Sequence, residues 1–297
     1  MKNSSIDQLI RKIMVPIDFS PASLNAAIYA AHVAKQKNAE ITLVHAYFNP
    51  VTNPVSYDHF YAFPANLGET LHEIVENARE MMGNFLTELN HYIADKQLLP
   101  ISIQVEVVGG IAEDAILDFA REGEYDLMIM GVVHRKGAET FFGSFMSEII
   151  NQSPIPVLSI PLDSSYKESM FKKMMYATNF DKSDGKAIRT LIGLSLPLES
   201  HIYIVHIDDT DDNPFVNYDL THFKEKYFGT REGPKMDFDL IVNKNLAKGI
   251  EVYIAEKEID IIAVTSHKRN IFSALFMPSL AKELLFKLKI PFLIFHA

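Results

Sequence analysis

The chain has 297 residues, 48% hydrophobic and 22% charged, enough for one large or two medium domains with buried cores. A formal net charge of −10 argues against non-specific binding to nucleic acid or to an anionic membrane. The lack of cysteine excludes disulfides, thiolate catalysis and cysteine zinc sites, and fits a reducing compartment.

The N-terminal stretch has no long apolar core of the secretory kind, and no apolar run is long enough to span a bilayer, so a cytoplasmic address is expected. From Lys12 onward β-type and α-type segments alternate. KIMVPID (12–18) reads as a buried strand. Ser20-Pro21 is a helix start, and Leu24, Ala27, Ile28, Ala31 and Ala34 carry helical spacing to about Lys37. ITLVHAY (41–47) is the next strand. Residues 48–66 form a loop rich in proline, asparagine and aromatics. A long amphipathic helix is expected over roughly 68–96, with Leu71, Ile74, Val75, Ala78, Met82, Phe85, Leu86 and Leu89 inward. ISIQVEVV (101–108) is a strand, and GGIAEDAILDFARE (109–122) opens another helix.

Residues 125–161 organise what precedes them. The apolar run Leu127 to Met130 ends in Gly131, a polar loop follows, and Gly143-Ser144 heads a helix over about 145–151 before a buried strand at 156–160. Such a strand, glycine-bearing loop and helix start can turn backbone N–H groups towards a phosphate. The order β-α-β-α-β-α-β-α-β predicts a parallel, doubly wound sheet.

The pattern then repeats. KMMYATNF (173–180) matches KIMVPIDF (12–19), and HIYIVHID (201–208) echoes EITLVHAY (40–47), both at an offset of 161. Asp260 matches Asp126 at 134, Ser279 matches Ser144 at 135, and IPFLIF matches IPVLSI. The second unit is therefore shorter by about 27 residues between its second and fourth strands, with YDLTHFKEKYF (218–228) as counterpart of the long helix. The reading is an internal duplication, with domains at 1–163 and 170–297. The two apolar final strands are edges that need cover, so an intrachain pseudo-dimer with these segments near its joint is expected.

Taken together, KIMVPIDFSPAS, ITLVHAY, GGIAEDAI, YDLMIMG, the Gly-Ser helix and PIPVLSI resemble the universal stress protein family in its tandem form. The resemblance covers nearly the whole chain. It implies two Rossmann-like α/β domains of the adenine nucleotide alpha hydrolase-like kind, each a five-stranded parallel sheet of order 3-2-1-4-5 with helices on both faces. It also implies that an adenine nucleotide such as ATP is the candidate ligand. On the family's pattern the acid at the adenosine is Asp18, the small apolar residue beside it is Ala46, the first glycine is Gly131, and the closing pair is Gly143-Ser144.

Two departures stand out. Gly131 to Gly143 spans 12 positions where the family pattern gives 13, and the middle glycine is missing: either His134 replaces it, or it is deleted between His134 and Arg135. A side chain there occupies phosphate space, because glycine permits both φ > 0 and close approach. His134, Arg135 and Lys136 nevertheless bring positive charge to the mouth. In the second domain the spacing is kept, but Thr265, Lys268 and Pro278 stand for the three glycines and Asn179 for the acid. Proline also removes an N–H. Family-style ATP binding is not expected there.

Plainer readings accompany these. Asp18 suits a ribose or adenine contact, and equally a cap on the following helix. His45 and His206 occupy equivalent strand ends, which argues for a shared packing role over a metal. No metal-ligand spacing is present, and no metal site is expected. Loop 48–66, with Tyr57, Phe60, Tyr61 and Phe63, reads either as a lid on its own core or as a flap or partner surface. The acidic run 208–212 reads as a solvated turn.

Three functions compete. The leading one is a non-catalytic stress-response or regulatory protein binding a small ligand or a protein partner, its nucleotide site altered in domain 1 and degenerate in domain 2. The alternative is an ATP-binding switch using domain 1 alone, with weak ATP hydrolysis left open. An adenylating enzyme is disfavoured, because DFSPAS and NFDKSD lack a phosphate-gripping motif. No Ser-His-Asp or Cys-His spacing supports a hydrolase. No catalytic residues are assigned. Nucleic-acid and membrane partners are not expected, and pairing of whole chains into a homodimer stays open.

Overall fold

The protein is described by a computed structural model. It describes residues 10–49, 67–133, 144–168, 170–178, 180, 184–195, 200–208, 234–266 and 288–296. Two compact units divide the chain, one over Arg11–Leu162 and the other over Asp163–Ala297 together with Met1–Ile10.

The first unit has strands β1 (Lys12–Pro16), β2 (Glu40–Tyr47), β3 (Ser102–Gly109), β4 (Leu127–Val132) and β5 (Val157–Pro161), with helices α1 (Pro21–Lys37), α2 (Leu67–Asp95), α3 (Ala112–Glu122) and α4 (Ser144–Gln152). The sheet is parallel and runs β3-β2-β1-β4-β5. Ile13, Met14, Val15, Leu127, Met128 and Ile129 are each 0% exposed, which is why β1 and β4 read as unbroken apolar runs: both faces are covered. α1 packs on α2, and α3 on α4. With the right-handed crossovers that parallel sheets favour, these pairs belong on opposite faces, since the chain moves one way through β1-β2-β3 and the other way through β3-β4-β5.

Local chemistry sets the ends of α1. The Ser20 hydroxyl accepts the Ser23 amide at 3.2 Å, Pro21 opens the helix, and Asn38 closes it in the left-handed region at φ 53°. Its face towards the sheet is mostly alanine, with Ala22, Ala26, Ala27, Ala30 and Ala31 buried, so helix and sheet approach closely. α2 buries Ala78, Met82, Phe85 and Leu89 of the expected stripe and also Ile93, while Leu71, Ile74, Val75 and Leu86 are only half-buried.

The second unit has strands β6 (Lys173–Ala177), β7 (His201–Asp208), β8 (Lys235–Val242), β9 (Ile261–Ser266) and β10 (Phe292–His296), with helices α5 (Asp184–Ser195) and α6 (Leu246–Lys257). Its parallel strands run β8-β7-β6-β9-β10. The pairing register repeats as well. Lys12 faces Glu40 as Lys173 faces His201, and Ile13 faces Leu127 as Met174 faces Ile261. These pairs carry the offsets of 161 and 134 found in the sequence, so the duplication is exact at the level of hydrogen-bonded partners. The segment 218–228, read as a helix in sequence, lies outside the described residues, as do most of loop 48–66 and of the acidic run.

One polar tie recurs in both units. Asp126 Oδ2 accepts the Lys12 amide at 3.0 Å and the Arg11 amide at 2.7 Å, and Asp260 Oδ2 accepts the Lys173 amide at 2.9 Å. Each aspartate thereby fixes the entry of the first strand against the fourth.

Candidate functional site at the strand switch point

β1 lies between β2 and β4, the place where the strand order reverses. In open parallel sheets a crevice opens there, beyond the carboxyl ends of the strands. Asp18, Ala46 and Gly131 stand at the carboxyl ends of β1, β2 and β4 respectively. The structure therefore brings three of the sequence-predicted site residues to one edge. Ser144 is the first residue of α4. His134 and Gly143 lie outside the described residues.

The turn after β1 is built tightly. The Ile17 amide donates to Val44 O at 2.8 Å, and Phe19 takes the left-handed conformation at φ 62°. For a phenylalanine this backbone needs support. It comes from His45, whose Nδ1 lies 2.8 Å from Ile17 O and whose ring centroid is 4.4 Å from that of Phe19. A carbonyl only accepts, so Nδ1 carries the proton. The second unit repeats this: His206 Nδ1 lies 2.9 Å from Thr178 O, Phe180 has φ 61°, and the rings are 4.7 Å apart. The two histidines are struts for the turn, the packing role their equivalence suggested.

The turn holds Asp18 exposed at the crevice. Its Oδ1 accepts the Ser20 amide at 3.0 Å, while Ser20 itself caps α1. Local burial pushes the Asp18 carboxyl up, but the hydrogen bonds of Ser20 and Ser23 together outweigh that and hold it below its ordinary value. Asp18 is thus a fixed anion, and it shapes the approach to the helix without being its N-cap.

Ala46 is half-buried, paired with Val108 of β3. Next to it the Tyr47 ring lies over Gly109, where an added Cβ would come 2.7 Å from the hydroxyl oxygen. Gly131 answers a different demand. A Cβ there would meet Ala22 O at 2.1 Å, Ala22 C at 2.3 Å and Ser23 N at 2.8 Å. The glycine lets the first turn of α1 rest directly on the end of β4.

The equivalent positions in the second unit have changed character. Ile207 replaces Ala46 and is 3% exposed. Thr265 replaces Gly131, and its hydroxyl lies 2.7 Å from Tyr176 Oη. Asn179, Lys268, Pro278 and Ser279 lie outside the described residues. Tyr176, Thr178 and Asp184 lie outside the signature positions of the sequence pattern. Extending the 161 offset to every buried position finds them, since each is a polar residue where the first unit has Val15, Ile17 or Ser23. Among the described residues no group of three or more His, Asp or Glu could hold a metal ion, and no helix is long and apolar enough to cross a membrane.

Comparison with known proteins places this architecture. The model of the universal stress protein family matches residues 9–161 and again 170–296. A universal stress protein of Methanocaldococcus jannaschii is 26% identical over 160 residues, covering 52% of this chain and 84% of that protein. Universal stress protein A homolog 1 of Coxiella burnetii is 26% identical over 150 residues, 50% of this chain and 95% of its own length. The crystal structure of a universal stress protein from Archaeoglobus fulgidus superimposes with a TM-score of 0.71 at 15% identity, covering 97% of this chain and 99% of that one, a likeness of fold. With the family pattern matched twice, in the order of the two sheets, the chain belongs to the universal stress protein family.

Proposed function

We propose that this chain is a non-catalytic regulatory protein of the stress response, acting through a small ligand or protein partner held at the switch point of its first unit. The observation that carries the reading is the Asp18 turn: an exposed carboxylate, held ionised and aimed by the Ser20 amide, beside the half-buried Ala46. A carboxylate with a lowered pKa is a good acceptor for ribose hydroxyls or an adenine amino group and a poor general base at neutral pH, which favours binding over proton transfer. Asp18, Ala46, Gly131, His134, Gly143 and Ser144 are the proposed contacts, with ATP or another adenine nucleotide as the first ligand class to test. The loop one residue short of the family pattern argues for weaker phosphate contact than in a full glycine signature. The corresponding site of the second unit is degenerate.

The test is mass spectrometry of small molecules retained by the purified chain, with calorimetry against ATP, ADP and AMP. The expected result is a ligand retained by the wild type and lost from Asp18→Ala, with ATP binding weaker than micromolar. Micromolar ATP affinity removed by Asp18→Ala would instead identify an ATP-binding switch. A wild type and an Asp18→Ala variant that hold the same molecules equally would refute a site at this turn.

A further inference from the structure

Because the two units share one register, each buried position of the first has a counterpart in the second, and exchanges between counterparts show what each crevice has become. Four exchanges fall together. Val15, Ile17, Ser23 and Gly131 of the first unit correspond to Tyr176, Thr178, Asp184 and Thr265 of the second. The latter four are 0%, 2%, 2% and 3% exposed, so each is a polar group placed in a core.

They form one connected network. Tyr176 Oη donates to Asp184 Oδ1 at 2.7 Å, and Thr178 Oγ1 donates to Asp184 Oδ2 at 2.5 Å. Since the tyrosine proton goes to the carboxylate, the 2.7 Å contact between Tyr176 Oη and Thr265 Oγ1 has threonine as donor. The Phe180 amide in turn donates to Thr178 Oγ1 at 2.9 Å. A buried polar group without a partner is costly, so these residues are tolerable only as a set.

The geometry around them follows. Gly131 admits the first turn of α1 flush against β4; at the corresponding point of β9 Thr265 carries a branched Cβ, which has no place in an approach as close as that one. Tyr176 Oη reaches from β6 to both Asp184 of α5 and Thr265 of β9, so its ring and the Asp184 carboxylate lie where these three elements meet. Asp184 also lies in the first turn of its helix, at the positive end of the dipole, whereas α1 has no acidic residue in its first turn. An anionic ligand approaching this crevice therefore meets a carboxylate already in place.

We propose that Tyr176, Thr178, Asp184 and Thr265 form an internal plug that closes the second unit's switch-point crevice to anionic ligands, so that the chain carries one nucleotide-type site, in its first unit. The plug stands on the second unit's own contacts; the count of one site rests on the function proposed above.

The experiment separates the two. A double-mutant cycle of Tyr176→Phe and Asp184→Asn is read by hydrogen exchange of peptides spanning 173–195 in the full chain, alongside calorimetric titration with AMP, ADP and ATP. The plug predicts non-additive loss of protection, with a coupling of at least tenfold in the local opening equilibrium. If Asp184→Asn does not fold, the pair Tyr176→Phe and Thr265→Val, which removes hydroxyl groups only, serves the same cycle. The titration should never exceed one nucleotide per chain, and Tyr176→Phe should leave that stoichiometry unchanged. An additive cycle, or a second nucleotide bound by the wild type, overturns the plug. Coupling without any nucleotide binding supports the plug and refutes only the first-unit reading.

Discussion

Gly131 at the end of β4 and Ala22 in the first turn of α1 touch so closely that a Cβ on the glycine would lie 2.1 Å from the alanine carbonyl oxygen. Real side-chain carbons do not approach backbone oxygen to that distance. Gly131→Ala must therefore push α1 away from the sheet or distort β4, a form of overpacking that costs about 1–3 kcal/mol or more. The expected outcome is a loss of that size in chemical denaturation, with faster hydrogen exchange in α1. Gly123→Ala is the milder control: the nearest atoms there belong to the Tyr125 side chain. A Gly131→Ala chain as stable as wild type would show that the contact is not made.

The His45 and His206 struts predict a matched pair of effects. His45→Phe keeps a ring beside Phe19 but leaves Ile17 O without its imidazole donor, and His206→Phe does the same to Thr178 O. Each substitution should cost about 1–3 kcal/mol, the range for an acceptor left unsatisfied. His206, only 6% exposed, should be the more sensitive of the two. Urea unfolding of each variant measures this. A cost at one histidine and none at the other would break the equivalence of the two turns.

Much of this architecture was legible in the residues. Buried runs such as Leu127 to Met130, the Ser20-Pro21 helix start and the alanine spacing of α1 each mark one element, because strands covered on both faces and capped helices leave local signatures. The offset of 161 marks β6 and β7 in the sequence, and the pairing register reproduces it. The site was harder to read, for a physical reason. The place of Gly131 in a glycine pattern points to phosphate approach, whereas its described contact is with α1, which is far away in sequence. In sequence Thr265 reads as a lost glycine, although in the fold it completes a hydrogen-bond network with Tyr176 and Asp184. Networks of this kind join β6, β9 and α5, and no local window contains all three.

Asp260 separates the two roles of a carboxylate. It accepts the Lys173 amide at 2.9 Å, and burial pushes its pKa up despite the opposing pull of that bond and of the Lys173 and Lys167 charges. The folded chain therefore holds the Asp260 proton more tightly than the unfolded chain does, and this contribution to stability falls as pH rises through the folded pKa. Asp260→Asn keeps an acceptor oxygen and removes the desolvated charge, so at pH 7 it should be neutral or stabilising. Asp260→Ala abandons the Lys173 amide and should cost about 1–3 kcal/mol. Denaturation midpoints of both variants at pH 7 decide the matter. Equal destabilisation by the two would mean that the charge, and not the acceptor, ties β6 to β9.

His32 sets a pH limit on the first unit. Its Nε2 lies 3.0 Å from Tyr92 Oη, joining α1 to α2. Burial, and after it the charge of Lys96, lowers its pKa from 6.5 to about 4. An unfolded chain takes up this proton near pH 6.5, and the folded one resists until about pH 4, so over that interval the unfolded state binds more protons. Stability must then fall as pH drops from 6.5 towards 4 and level off below. Because His32 is only half-buried, solvent screening reduces the effect to about 1–2 kcal/mol. His32→Gln retains a polar group facing Tyr92 and does not titrate. The expected outcome is a wild-type stability that declines across this interval relative to His32→Gln, followed by urea unfolding at half-unit steps of pH. Parallel curves for the two proteins would show that His32 is protonated in the folded chain and that the α1–α2 contact tolerates the charge.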